Sequence, residues 1–272
     1  MLERPIFLLG MPRSGTTWLS QVFEAHPATL VRLSPNFSYA LKGQLTPTST
    51  PSTWREVLGA AASSDDAFLT QDWRRQRGDL PRHQGKKDAQ HLVIKDTRYF
   101  EVYRGGMKSL PDARCLFVVR NPCAALNSWM QSAEFPSEAL FLDEWLDGQC
   151  RKTSGEGEYW GFEDWCLQAR LFLDLQKQNP KRFRVFPFEE MVRDPAANLK
   201  KLFAFVGMEL TEEVLSFVKQ SHASHEGDGY SVFKDPRHVL DRWRETFPAA
   251  IAEDITKRLA GTDLETYLRV GD

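Results

Sequence analysis

The sequence predicts an α/β fold: a central parallel β-sheet flanked by helices on both faces. Three observations predict it. Ile6–Leu9, Leu92–Ile94 and Cys115–Val119 are short, unbroken apolar runs of the kind found in strands covered on both sides. Segments with apolar residues at helical spacing separate them, as βαβ connections require. Each run also ends in glycine, proline or charged residues, and ligands of such sheets bind beyond the carboxyl ends of the strands.

Taken in order, Pro5–Leu9 reads as a buried strand, Gly10–Gly15 as a loop and Thr16–Ala25 as a helix. "LTPTSTPST" (Leu45–Thr53), rich in Ser, Thr and Pro, reads as a loop. It lies within an irregular insertion spanning positions 35–87. There Trp54 and Trp73 are candidates for an acceptor pocket, and Lys86 and Lys87 read as a solvated charge pair. His91–Arg98 gives a second strand and Ala113–Pro122 a third, followed by a helix over Ala124–Ser132. Tyr159–Gln178 has helical periodicity, and Phe183–Met191 reads as a fourth strand. Asp194–Gly207 is a helix with Asp as N-cap, Pro at its first position and Gly closing it; Thr211–Ser221 is another. The exits Gly10–Thr17, Lys95–Arg98, Arg120–Pro122 and Phe188–Glu190 would then converge on one crevice.

At 272 residues the chain is expected to form one large domain carrying that insertion, which with the segment 135–161 would shape an acceptor site. Apolar and charged fractions of 42% and 26% are ordinary for a globular protein. A net charge of −2 provides no bulk basic field for nucleic acid, so anion binding must rest on local Lys/Arg clusters. The four cysteines form no CxxC pair and no metal-ligand spacing with histidine. That usage fits a reduced, cytoplasmic protein without a metal site. No run reaches membrane-spanning length, and the apolar stretch before Gly10 is shorter than the h-region of a secretory signal.

"GMPRSGTTW" carries the chemistry. Gly10 and Gly15 have the spacing of the GxxxxG half of a nucleoside-triphosphate loop. Such glycines let backbone N–H groups approach an anion, and the following helix directs its positive end at it. The lysine that a triphosphate loop needs after the second glycine is replaced by Thr16, and the cation sits inside the loop at Arg13. Asp96 is the candidate acidic Mg²⁺ ligand at a strand end, but Lys95 stands beside it. A phosphate held without dependence on Mg²⁺ fits this loop better. A nucleotide kinase or NTPase is the alternative, and a nucleotide-binding module without catalysis is a third.

The loop and a later strand ending in Arg-Asn-Pro together resemble the sulfotransferase family that uses 3′-phosphoadenosine-5′-phosphosulfate (PAPS). Pro12, Arg13, Ser14, Gly15, Thr16, Thr17 and Trp18 match its 5′-phosphosulfate loop without a gap. The match implies that Trp18 stacks near the adenine. "VVRNPCAALNSW" supplies Arg120 at a strand end and Ser128 about two turns into the following helix, the pair that the resemblance assigns to the 3′-phosphate. "FEEM…DP" is similar to the family's YEDM…DP stretch, with Phe188 keeping the aromatic packing and lacking the hydroxyl. "SVFKDPRHVLDRW" resembles the carbohydrate- and bacterial-type members more than the cytosolic aryl type, leaving Lys234 and Arg237 as candidate C-terminal phosphate contacts.

The resemblance implies a P-loop-containing nucleotide-hydrolase-like architecture and sulfuryl transfer from PAPS to a hydroxyl or amine of a small-molecule or carbohydrate acceptor. The sulfuryl group would move in line between two oxygens, so the chemistry needs cations at the leaving phosphate and a base for the acceptor. Arg13 is assigned electrostatic stabilisation, since a guanidinium does not readily donate a proton. Lys95 is a second cation. Asp96 is the first candidate base, with pairing to Lys95 or Arg98 as its other reading. His26 and His91 follow, His26 equally serving to end its helix before Pro27.

Overall fold

The computed structural model describes residues 4–83, 89–132, 138–152, 157–223 and 231–269. Lys86, Lys87 and part of the segment 135–161 lie outside the described residues. Five parallel strands form the sheet: β1 (Ile6–Gly10), β2 (Thr29–Leu33), β3 (His91–Asp96), β4 (Arg114–Val119) and β5 (Phe183–Pro187), in the order β2-β3-β1-β4-β5. The strand that starts the chain is therefore central, between β3 and β4.

The first helices are α1 (Thr16–Ala25), α2 (Pro51–Ser63), α3 (Ala67–Thr70), α4 (Asp72–Gln76) and α5 (Phe100–Ser109). Then come α6 (Pro122–Met130), α7 (Glu138–Glu144), α8 (Phe162–Gln178), α9 (Phe188–Arg193), α10 (Pro195–Val206) and α11 (Glu212–Ala223). The C-terminal set is α12 (Pro236–Asp241), α13 (Trp243–Thr246), α14 (Ala249–Leu259) and α15 (Thr266–Arg269). No helix among the described residues is long and apolar enough to cross a membrane.

Successive residues of a strand point to opposite faces, and β1 divides the core accordingly. Ile6 and Leu8 pack with Leu19, Val22 and Phe23 of α1 and with apolar residues of α10 and α11. Phe7 and Leu9 pack on the other face with residues of α2, α5, α6 and α8. Asp194 caps α10 by accepting from the Ala197 N–H, Pro195 starts the helix and Gly207, at φ 80°, ends it.

The structure corrects several elements. β2 was not expected: it is an edge strand, and its positions alternate between buried and half-buried. Its Arg32 guanidinium donates to the carbonyls of Ala61, Ala62 and Ser64 at the end of α2, which holds the insertion to the sheet. The insertion is not irregular throughout. Thr50 caps α2 inside the expected loop, accepting from the Thr53 N–H at 3.2 Å. Trp54 is 0% exposed and belongs to the core, not to an acceptor pocket. α5 was missed because it contains Gly105 and Gly106, poor helix formers that let the helix lie against the Pro47 backbone and the Trp54 ring. The fourth predicted strand stops at Pro187, and Phe188 opens α9 instead of extending β5.

Candidate active site

The loop after β1 is held by its backbone. The Ser14 N–H donates to the Met11 carbonyl at 3.2 Å, and Arg13 (φ 67°) and Gly15 (φ 87°) are both left-handed. A side chain on Gly15 would overlap the Phe188 ring, so glycine is needed there for space as well as for φ. α1 starts at Thr16 with no side-chain cap and no acidic residue in its first turn. Its first N–H groups and its dipole are thus directed at whatever the loop holds. Ser14 is buried under the loop, and its Oγ has no partner among the described residues.

On the β4 side the two parts of the sequence signature meet. Arg120, just past β4, donates from Nη1 to the Arg13 carbonyl at 3.0 Å and from Nη2 to the Val239 carbonyl at 2.9 Å. Arg13 in turn donates from Nε to Ser128 Oγ on α6 at 3.1 Å. The Arg120 guanidinium lies over the Phe188 ring, 5.3 Å from its centroid. Burial pushes its pKa down to about 10, against the upward pull of nearby Glu189, so it stays charged at neutral pH. Arg120 Nε is buried without a partner among the described residues. A buried donor on a charged group is costly unless an acceptor satisfies it, and a phosphate oxygen is the acceptor a guanidinium fork fits. Trp18 lies edge-on to Phe188, and its indole N–H is anchored on Ser221 Oγ at 3.0 Å. The His222 ring stacks on Trp18, with centroids 5.6 Å apart.

On the β3 side, Lys95 and Arg98 face the same cavity, joined by Arg74 from α4 in the insertion. Burial lowers the Lys95 pKa to about 8, with the charge of Arg74 acting in the same direction. The cavity has a volume of about 810 Å³. Seven Lys and Arg side chains line it, and no Asp or Glu does so among the described residues.

Not every predicted residue reaches this cavity. Asp96 is 0% exposed and its side chain turns away from it: Oδ1 accepts the Arg98 N–H at 2.6 Å, and burial pushes its pKa up to about 7. Adjacent residues of one strand face opposite ways, so with Lys95 on the cavity Asp96 cannot be. Its work is to close the turn that presents Thr97 and Arg98. His26 ends α1 at the amino side of the sheet, bonded to the Ala28 N–H and the Glu209 carbonyl, and His91 starts β3 at that same side. Neither is near the loop. Lys234 lines the cavity, whereas Arg237 is exposed outside it; the neighbouring Arg242 and His238 face it instead, with Arg242 Nη1 donating to His238 Nε2 at 3.0 Å. Arg74, Arg98, His222 and Trp160 were not foreseen as site residues. Arg98 was visible as a charged strand exit; Arg74 had no signal tying the insertion to the sheet.

The burial of Asp96 makes a direct prediction. Asp96→Asn keeps the acceptor oxygen for the Arg98 N–H and is expected to retain turnover within about threefold, where loss of a general base costs about 10²–10⁴. A carboxyl with a raised folded-state pKa has stability that is present at low pH and lost as pH rises from about 4 to 7. The Asn variant should lose that part of the pH dependence in thermal unfolding. A hundredfold fall in kcat would return Asp96 to the base.

A sulfotransferase family profile matches residues 5–212, and the chain belongs to the sulfotransferase family. Human carbohydrate sulfotransferase 6 is 26% identical over 275 aligned positions, covering 96% of this chain and 65% of that protein. Arabidopsis thaliana cytosolic sulfotransferase 14 is 24% identical over 78% of this chain and 56% of that protein. The chain thus spans less than two thirds of these relatives. Among solved structures, a mouse sulfotransferase in complex with PAP superposes over 99% of this chain and 89% of its own, at TM-score 0.55 and 19% identity. The sulfotransferase domain of a Synechococcus olefin synthase covers 94% and 93% at TM-score 0.52 and 20% identity. Both share the fold.

Proposed function

We propose that the protein transfers the sulfuryl group of PAPS to a hydroxyl or amine on a small-molecule or carbohydrate acceptor. The observation that carries this reading is the meeting of Arg13, Arg120 and Ser128 at the loop after β1: two cations and a hydroxyl, from separate parts of the chain, joined by direct hydrogen bonds. The loop N–H groups and Arg13 would face the 5′-phosphosulfate, Arg120 and Ser128 the 3′-phosphate, and Trp18 and Phe188 the adenine. The partnerless Arg120 Nε fits the phosphate role. PAPS supplies the activated sulfuryl group when bound.

The chain's own groups then have distinct tasks. Arg13 and the first turn of α1 offset the charge that grows on the leaving phosphate, where fixed donors act most strongly. Lys95, on the opposite side of the loop from Arg120, faces the transferred group as a cation. The alternative reading, a nucleotide kinase or NTPase, loses its proposed Mg²⁺ ligand, since Asp96 does not reach the cavity.

Incubation with PAPS and a panel of hydroxyl and amine acceptors in EDTA, with PAP release followed by chromatography, tests the reading. Acceptor-dependent PAP release supports it. ATP turnover with Mg²⁺, and none of PAPS, overturns it. The Lys95 role has a pH signature. With a pKa of about 8 the lysine is charged below that pH, so kcat/KM is expected to fall about tenfold per pH unit above it. Lys95→Met should flatten that limb at a low rate. A rate that climbs through pH 8 would make Lys95 a base, not a cation.

A further inference from the structure

The cavity is lined by more cationic side chains than the nucleotide reading uses, and the extra ones lie on one side. The sheet order places β3 and β4 on opposite sides of the loop after β1. Arg120 enters from the β4 side, with Lys234 and Arg242 from the C-terminal segment, and Arg13 sits on the loop. Those four match the roughly four negative charges of PAPS at neutral pH, given that a phosphomonoester carries about −1.5 to −2. Lys95 faces the transferred group, and Arg98 and Arg74 remain on the β3 side.

These two guanidinium groups are held in place from behind. Arg98 pairs with Glu158 and lies over the Phe37 and Tyr99 rings, 5.7 and 5.5 Å from their centroids. Arg74 pairs with Asp79, Nε to Oδ2 at 4.0 Å, and packs on Trp73 at 5.9 Å. Glu158 and Asp79 are not among the cavity-lining residues. They orient the cations from outside the wall without placing a carboxylate on it. Asp79 and Glu158 offset part of this charge from behind, while the wall itself presents cations and no carboxylate among the described residues, which suits an oxyanion in the cavity. Guanidinium forks fit carboxylate, sulfate and phosphate oxygens best.

Resting on the sulfotransferase reading, we propose that the acceptor is itself anionic: a hydroxyl compound bearing a carboxylate or a sulfate ester, whose oxyanion is held by Arg74 and Arg98 on the β3 side of the loop. Arg74 sets this specificity, because it, unlike Arg98, comes from the insertion.

Binding to the full chain saturated with PAP tests it, read by the fluorescence of Trp160 and Trp243 in the cavity wall. The probes are matched pairs: methyl glucuronide against methyl glucoside, 4-hydroxybenzoate against 4-hydroxybenzamide, and 6-sulfo-N-acetylglucosamine against N-acetylglucosamine. The anionic member of at least one pair is expected to bind tenfold or more tightly. The pair that shows it separates carboxylate from sulfate ester. Its preference should shrink with added salt, vanish in Arg74→Gln and persist in Arg74→Lys, while the PAP dissociation constant of both variants stays within about threefold of the parent. The salt series on the parent protein needs no variant to fold. Equal binding within every pair, or no binding of any anionic member, overturns the proposal while leaving PAPS use intact. Failure of PAP itself to bind overturns the sulfotransferase reading, and this inference with it.

Discussion

Arg120→Ala is expected to weaken binding of adenosine 3′,5′-bisphosphate about 30- to 5000-fold and that of adenosine 5′-phosphate less than about threefold. The size follows from what the guanidinium does. Truncating one partner of a desolvated, hydrogen-bonded charge pair costs about 2–5 kcal/mol. Arg120 also supports the loop through the Arg13 carbonyl and lies close to buried Glu189. Burial raises the Glu189 pKa and the Arg120 charge opposes that rise. The alanine variant should therefore melt lower as well, and the 5′-phosphate ligand is the control that separates a weakened loop from a lost 3′-phosphate contact. Equal losses for both nucleotides would refute the assignment. Arg120→Lys keeps the charge without the fork and should fall between, since a lysine meets phosphate as a point charge.

Arg13→Ala is expected to lower kcat by about 10²–10³ with a much smaller effect on PAP affinity, the pattern of an interaction that strengthens in the transition state. The position also carries backbone strain: a non-glycine residue at φ 67° costs on the order of 1 kcal/mol. Two further variants separate strain from charge. Arg13→Gly relieves the strain and should be more stable than Arg13→Ala while turning over no faster. Arg13→Lys keeps both strain and charge and should recover most of the rate. If alanine turns over like the parent protein, the leaving-phosphate role falls to the helix N-terminus alone.

What the sequence made legible follows from the kind of constraint each residue obeys. The loop was readable because its geometry demands particular residues: Gly15 is pressed against Phe188 at positive φ, and little else fits there. Arg120 and Ser128 were readable because a strand end and the next helix place them by chain connectivity alone. The face of a strand is another matter. Alternation puts Lys95 and Asp96 on opposite sides of β3, but which of them meets the cavity depends on what covers each face, and Ser34 and Tyr103 cover Asp96. β2 escaped notice because Thr29–Leu33 is a half-covered edge strand with an arginine in it. Arg74 was illegible for a deeper reason. Its place comes from the docking of α2 to α4 against β2, through contacts such as Arg32 with the end of α2, which no local periodicity announces.

The central claim is that the loop, Arg120 and Ser128 together form a site for a nucleotide with both a 5′- and a 3′-phosphate. Isothermal titration of the full chain with adenosine 3′,5′-bisphosphate, adenosine 5′-phosphate and ATP, each with Mg²⁺ and with EDTA, tests it most directly. The bisphosphate is expected to bind at least about 30-fold more tightly than either of the others, with the same affinity in both conditions. Tighter binding of ATP that depends on Mg²⁺ would contradict the account.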